Sequence, residues 1–354
     1  MVIVFIYFSV VLFLFIFDRS RFLFLSAFAL MLVLFCFNYD NADRLVYENR
    51  LYGLDSFLNI TEPGFTLLMY LFNKLNLDVQ YLYFIVGIVY LSTVVYVVRK
   101  ICPESYTPIG FFMLANFFLD VVQIRATISL ILVLLGFYFL ITIHDVKKSS
   151  IFFLACIACA SLFHASSLFF VFFVMVNYYD KRRIFFPIVV CTLILFVIQK
   201  SFFLRIGNIL SLSDKVADIA NSDRYIGSNK NFIVSVLLMI MMFSFYYLYY
   251  KYGKFMKFHL ITEKMYGIVS CLFLFFPIIS FSADFRRLFY AISPITCAVI
   301  CTWKTPGKLS KISFALLVWA LIFFYRSVFL GNYNTVFIPV MEKNIFFDLI
   351  KGII

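Results

Sequence analysis

A chain of 354 residues that is 64% hydrophobic and only 14% charged has too little polar surface to cover a soluble core, which excludes a water-soluble globular domain. Its 50 Phe and 23 Tyr, with Leu, Ile and Val, are accepted by lipid on every face of a helix, so the composition points to a polytopic membrane protein. Ten-residue segments of alternating polarity are absent, which argues against a transmembrane barrel, and the net charge of +12 is concentrated in short connections between apolar blocks.

The first block, "MVIVFIYFSVVLFLFIF", lacks a basic leader and a small-residue cleavage site and reads as a retained helix. Further blocks follow at roughly 22–37, 81–98, 106–122, 126–143, 151–163, 165–177, 184–199, 232–250, 265–281, 288–302 and 312–330. The expected fold is an all-α, polytopic integral membrane protein, one transmembrane helical domain over 1–354 with about 12 crossings. Eight cysteines lie mostly inside the blocks, without zinc-site or disulfide-framework spacing, and no chemistry is assigned to them. With no D-x-D pair, carboxylate cluster or Gly-rich phosphate loop, neither a metal nor any other cofactor is expected, and nucleic acid is not an expected partner.

Orientation follows from Lys and Arg in the connections. "DRSR", "RK", "HDVKKSS", "DKRR", "KYGKFMKFHLITEK" and "WKTPGKLSK" hold 16 basic residues against five acids in or beside them, whereas all other connections hold 14 against 13. The first set is therefore placed in the cytoplasm. Alternation then requires both termini outside and two short crossings in the run 151–176, turning at "FHASS". His164 falls at that outward turn. Arg125, Arg224, Arg286 and Arg287 fall on the same side.

Two outer segments, 38–80 and 200–231, are long enough to carry structure. In the first, Glu62 ahead of Pro63 and Gly64 reads as a helix start, with proline in the first turn and an acid near the positive end of the dipole. The apolar stretch 65–75 is too short to cross and is expected as a re-entrant or interfacial helix.

Outward arginines in a hydrophobic bundle need anionic partners. Asp120, Asp223 and Asp284, each near an arginine, are internal candidates; the alternative is phosphate, which the planar guanidinium fork contacts bidentately. His164 either hydrogen-bonds a neighbouring helix or moves a proton. Tyr39, Asp40, Tyr52 and Glu62 suit a sugar-binding rim, and equally an ordinary interfacial loop.

In order, the acidic Tyr-rich loop, "EPGF", "IRATISL", "LFHASSLFF" and "DFRRLFY" resemble the EpsG/Wzy-type polysaccharide polymerases over about residues 38–290. The resemblance implies a glycosyltransferase of the bacterial cytoplasmic membrane, its site facing outward, that joins oligosaccharide units carried on undecaprenyl pyrophosphate. It implies partners too: that lipid-linked oligosaccharide, the bilayer and a chain-length regulator protein. The family pattern falls on Glu62, Pro63, Gly64, Arg125, His164, Ser166, Arg286 and Arg287. It departs at Ala126, where the family often has Gln. Arg125 and Arg286 are expected to stabilise the leaving pyrophosphate, with Arg287 and Arg224 assisting, and Glu62 or His164 to act as base, a choice the sequence leaves open. The rival expectations are a lipid-linked oligosaccharide flippase or transporter and a membrane acyltransferase.

Overall fold

Backbone N–H and C=O groups in lipid must be satisfied within the chain, and uninterrupted apolar blocks do this as helices. The computed structural model describes residues 2–52, 62–179, 186–195, 197, 240, 243, 244, 247, 259–275, 286–302, 311–329 and 332–353. Among the described residues the chain is almost entirely helical, without strands; Asn38 and Asn344 form one isolated antiparallel bridge. The helices are α1 (Val2–Ile16), α2 (Arg21–Cys36), α3 (Arg44–Tyr52), α4 (Pro63–Lys74), α5 (Val79–Ile101), α6 (Thr107–Ala115), α7 (Phe117–Val122), α8 (Ile124–Thr142) and α9 (Val146–Phe163). A 3-10 helix follows over Ala165–Asn177. Then come α10 (Phe186–Leu195), α11 (His259–Leu272), α12 (Arg286–Cys301), α13 (Lys311–Phe324), α14 (Ile338–Glu342) and α15 (Ile345–Ile353).

Among the described residues three helices, α5, α8 and α9, are long and apolar enough to cross a membrane. The expected second outer segment, 200–231, and most of the block at 232–250 lie outside the described residues.

Local chemistry sets the helix starts. Ser20 Oγ accepts from the Leu23 amide at 3.3 Å ahead of α2, and Asp78 accepts from the amides of Gln80 and Tyr81 at 2.8 and 3.2 Å ahead of α5. Pro63 opens α4, where its missing N–H costs nothing. After α4, Asn76 takes φ 53°, the left-handed geometry that ends helices.

The apolar block at 106–122 is not one helix. It breaks at Asn116 into α6 and α7, and the Asn116 side-chain oxygen accepts from Ser293 at 2.9 Å, so a polar pair between helices occupies the break. The run around His164 also breaks: α9 stops at Phe163, and Asn177 at the far end of the 3-10 helix donates to Ser149 and Ser150 at 3.1 and 3.0 Å, near the start of α9. The chain therefore doubles back at His164. Eighteen residues at 1.5 Å and thirteen at 2.0 Å give arms of about 27 and 26 Å, so the extended 3-10 winding lets a short segment match α9.

The chain clusters into two units. In the first (1–138, 153–168 and 293–354), α2 packs on α5, and α6 on α1 and α13. Its centre is aromatic: Phe118 meets Tyr7 and Phe337, each at a ring-centroid separation of 5.2 Å, and Tyr7 donates to the Met113 carbonyl at 2.6 Å. The segment after α13 makes two π-helical turns and then α14 and α15. Asn38 ties it down, donating to the carbonyls of Pro339 and Lys343 at 2.9 and 3.0 Å.

In the second unit (139–152 and 169–292), Lys264 is a helix residue of α11 and buried, although its sequence context reads as a loop. Its ammonium donates to the carbonyls of Leu140 and Ile143 at 2.8 Å each, capping the negative end of α8.

Candidate functional site

The start of α4 comes very close to the last turn of α9. A Cβ added at Gly64 would lie 3.0 Å from the Leu162 Cβ and 3.0 Å from its carbonyl oxygen, so only glycine permits this approach without displacement. Glu62, two residues earlier, is thereby brought to His164, two residues beyond Leu162. The carboxylate does not cap its own helix. It turns instead into a cluster of cations.

Glu62 Oε1 lies 3.2 Å from His164 Nδ1, while Oε2 accepts from Arg125 Nη1 and lies 3.6 Å from Arg50 Nη1. Glu62 is buried, with 11% of its side chain exposed, against 21% for His164, 29% for Arg125 and 34% for Arg50. Burial pushes the Glu62 carboxyl upward, but the His164 hydrogen bond and the charge of Arg125 outweigh it and hold the group at about 2, below its ordinary 4.5. An ionised carboxylate only accepts, so the contact puts a proton on His164 Nδ1 and leaves Nε2 as the ring nitrogen not engaged by Glu62.

Three helix starts deliver these groups. Glu62 precedes α4, Arg125 is in the first turn of α8, and His164 precedes the 3-10 helix. The ends of α3 and α9 lie there too, with dipoles of the opposite sign, so the side chains set the charge of the cluster. Two guanidinium groups and one carboxylate sum to +1, or +2 when the imidazole is protonated. The arrangement can hold an anion beside a ring nitrogen able to take a proton.

Of the residues expected from sequence, Glu62, Arg125 and His164 are brought together. The internal partner of Arg125 is Glu62, 63 positions away, while nearby Asp120 accepts from Tyr90 at 2.6 Å. Ser166 is half-buried; its neighbour Ser167 reaches α8 by pairing with Ser129. Tyr39 is joined to the C-terminal segment: its amide donates to the Lys343 carbonyl at 3.1 Å, and a hydrogen bond with Asp348 raises its phenol pKa. Tyr39 lines a shallow groove with Ile345, Asp348, Leu349 and Gly352. Asp40 and Tyr52 are exposed. Arg286 and Arg287 begin α12, but their side chains lie outside the described residues, as do Arg224, Asp223 and Asp284.

Arg50 was not expected. The signal for it is in "RLVYENRLY": Arg44 and Glu48 are spaced for a helical pair, and Tyr47 and Leu51 for one buried face, which makes α3 a helix that carries Arg50 in its last turn.

Apolar crossings, a hairpin turning at His164 and a cationic cluster around one buried carboxylate define a helical membrane protein with a polar site at its helix starts. The family model described as the EpsG family matches residues 21–340, and the chain belongs to that family, a Wzy-type polymerase-like group. It is thus a polysaccharide-polymerase-like membrane protein. No curated protein and no solved structure matches the chain.

Proposed function

We propose that this protein is a membrane glycosyltransferase that joins oligosaccharide units carried on undecaprenyl pyrophosphate, at the outer face of the bacterial cytoplasmic membrane, building O-antigen, capsule or exopolysaccharide. The observation that carries this reading is the single carboxylate, Glu62, shared by Arg50, Arg125 and His164.

A hydroxyl on the distal sugar of an incoming unit attacks the anomeric carbon of the growing chain. The bond from that carbon to the pyrophosphate oxygen breaks, its electron pair leaves with the lipid pyrophosphate, and the hydroxyl proton passes to His164 Nε2. Negative charge grows on the leaving group, so preplaced Arg125 stabilises the transition state more than the ground state. A carboxyl held at about 2 is a weak base, which favours His164 for proton transfer and leaves Glu62 to fix the imidazole tautomer. Arg286, Arg287 and Arg224 are proposed as further phosphate contacts, and Tyr39, Asp40, Tyr52 and Ser166 as sugar contacts.

About 12 crossings with both termini outside remain part of the proposal. Contacts between connections support the sidedness. Arg19 pairs with Glu104 at 3.2 Å, joining two connections assigned to the cytoplasm, while the C-terminal segment bonds Asn38 at the start of the first outer one. On α4, Leu67 and Leu71 are exposed along one face and Phe65, Met69 and Phe72 buried on another, as suits a helix lying at the interface.

The test is the glycan of a deletion strain, with restoration by the full chain as the control. Loss of long chains with retention of single units on their lipid anchor is expected; accumulation of units on the cytoplasmic leaflet would instead identify a flippase. A chain-length regulator partner predicts a changed length distribution when that protein is removed.

A further inference from the structure

We propose that Arg50 is a second diphosphate-binding arginine of this site, held by Glu62 until the diphosphate of the lipid-linked substrate takes the carboxylate's place at its guanidinium. The inference rests on the polymerase reading above.

Within the described cluster, charge balance calls for a second cation beside Arg125. Arg125 and Glu62 cancel, so the pair alone offers no net attraction to a dianion, whereas adding Arg50 leaves the cluster positive with His164 still neutral. The two guanidinium groups face the same carboxylate oxygen unequally. Arg125 donates a hydrogen bond to Oε2, while Arg50 stands at 3.6 Å, an ion-pair distance longer than a charge-assisted hydrogen bond. Among the described residues the Arg50 guanidinium makes no hydrogen bond, which leaves its N–H donors for an incoming oxygen. Its side chain is also the most exposed of the four.

The position of Arg50 is nonetheless fixed. Its guanidinium lies 5.8 Å from the centroid of the Phe65 ring, which gives it an apolar face to rest on and leaves the edge donors free. Helix α3 is tied at its start, where Arg44 donates to Glu48 and to Gln80, both at 2.7 Å, and Gln80 donates to the Cys36 carbonyl at 2.6 Å. Tyr47 is buried against Phe65, with 5.8 Å between centroids. A side-chain movement alone is then enough to exchange the carboxylate for phosphate.

The experiment measures binding of farnesyl diphosphate and of inorganic pyrophosphate to the purified full-length protein in detergent, with thermal unfolding as the check on folding. Arg50→Gln is expected to weaken both ligands by roughly tenfold or more, as for loss of a charge-assisted contact. Arg50→Lys, which keeps the charge and the pairing with Glu62 but not the fork, is expected to weaken them by a few-fold and decides the matter if the Gln variant does not fold. Glu62→Gln releases Arg50 and is expected to bind at least as tightly as the unaltered protein. Unchanged binding in the Arg50 variants overturns the inference, as does a loss confined to the prenylated ligand. So does a Glu62→Gln loss equal to that of Arg50→Gln, because Arg50 would then act only through the carboxylate. Failure of the unaltered, folded protein to bind farnesyl diphosphate would sink the polymerase reading itself, and the inference with it.

Discussion

Arg125 is the counter-ion of Glu62 and, in the proposed reaction, a pyrophosphate contact, and one pair of substitutions separates the two roles. Replacing it with Ala leaves Glu62 buried, with Arg50 at 3.6 Å and His164 at 3.2 Å as its remaining partners. The carboxyl's fall from 4.5 to about 2 corresponds to about 3 kcal/mol of preference for the ionised form, shared among the surrounding cations. Losing the closest of them should cost about 2 kcal/mol of stability, since a buried charge is left undercompensated. Arg125→Ala should therefore unfold a few degrees lower in detergent and make no long glycan, with a rate loss of roughly a hundredfold or more if Arg125 stabilises the leaving pyrophosphate. Adding Glu62→Gln removes the stranded charge. The double variant should regain most of the lost stability while still making no long chains. The assays are thermal unfolding of purified protein and the glycan length profile at matched protein levels. Restoration of long chains by the double variant would refute the reasoning, because Arg125 would then matter only as a counter-ion to Glu62.

Glu62 also sets a pH dependence. Its folded value lies below its unfolded one, so its stabilisation is complete above about pH 4.5 and fades as pH falls towards 2; thermal unfolding at pH 3 and pH 6 should differ more in the unaltered protein than in Glu62→Gln, and equal differences would count against the cluster. Gly64→Ala adds a Cβ 3.0 Å from the Leu162 backbone, so α4 must move by a few tenths of an ångström; glycan chains should shorten with only modest loss of stability, about 1–2 kcal/mol, and unchanged chains would show that the approach has slack. His164→Gln can still donate to Glu62 yet takes no proton, so it should keep the fold and recover little polymerisation beyond His164→Ala; near-normal chain length in the Gln variant would make the histidine structural.

What the sequence shows and what it hides follow from range. The start of α4 is legible to the residue, because Pro63 acts through its own ring and φ, and the end of α9 at Phe163 is legible because a charge count over short connections demands a reversal at His164. The two arms of that reversal look alike in composition, however, and only the folded chain shows one as α-helix and the other as 3-10 helix. The break in the block at 106–122 falls where Asn116 meets Ser293, 177 positions away, and no local propensity contains that contact.

The same limit explains the site. Glu62, Arg125 and His164 can each be singled out, since an ionisable group beside apolar runs needs a partner. Which partner each takes is a matter of tertiary approach: Glu62 meets Arg125 across 63 positions and His164 across 102. Arg50 is harder to find, because it lies in a polar segment with Asp43, Arg44 and Glu48, where one more charge needs no explanation. Only the face of α3 formed by Tyr47 and Leu51, packed towards α4, fixes which of those charges points at Glu62. Gly64 links the two kinds of information. Its missing side chain is plain in the sequence, and its reason, the backbone of Leu162 at contact distance, is the approach that turns separate charges into one cluster.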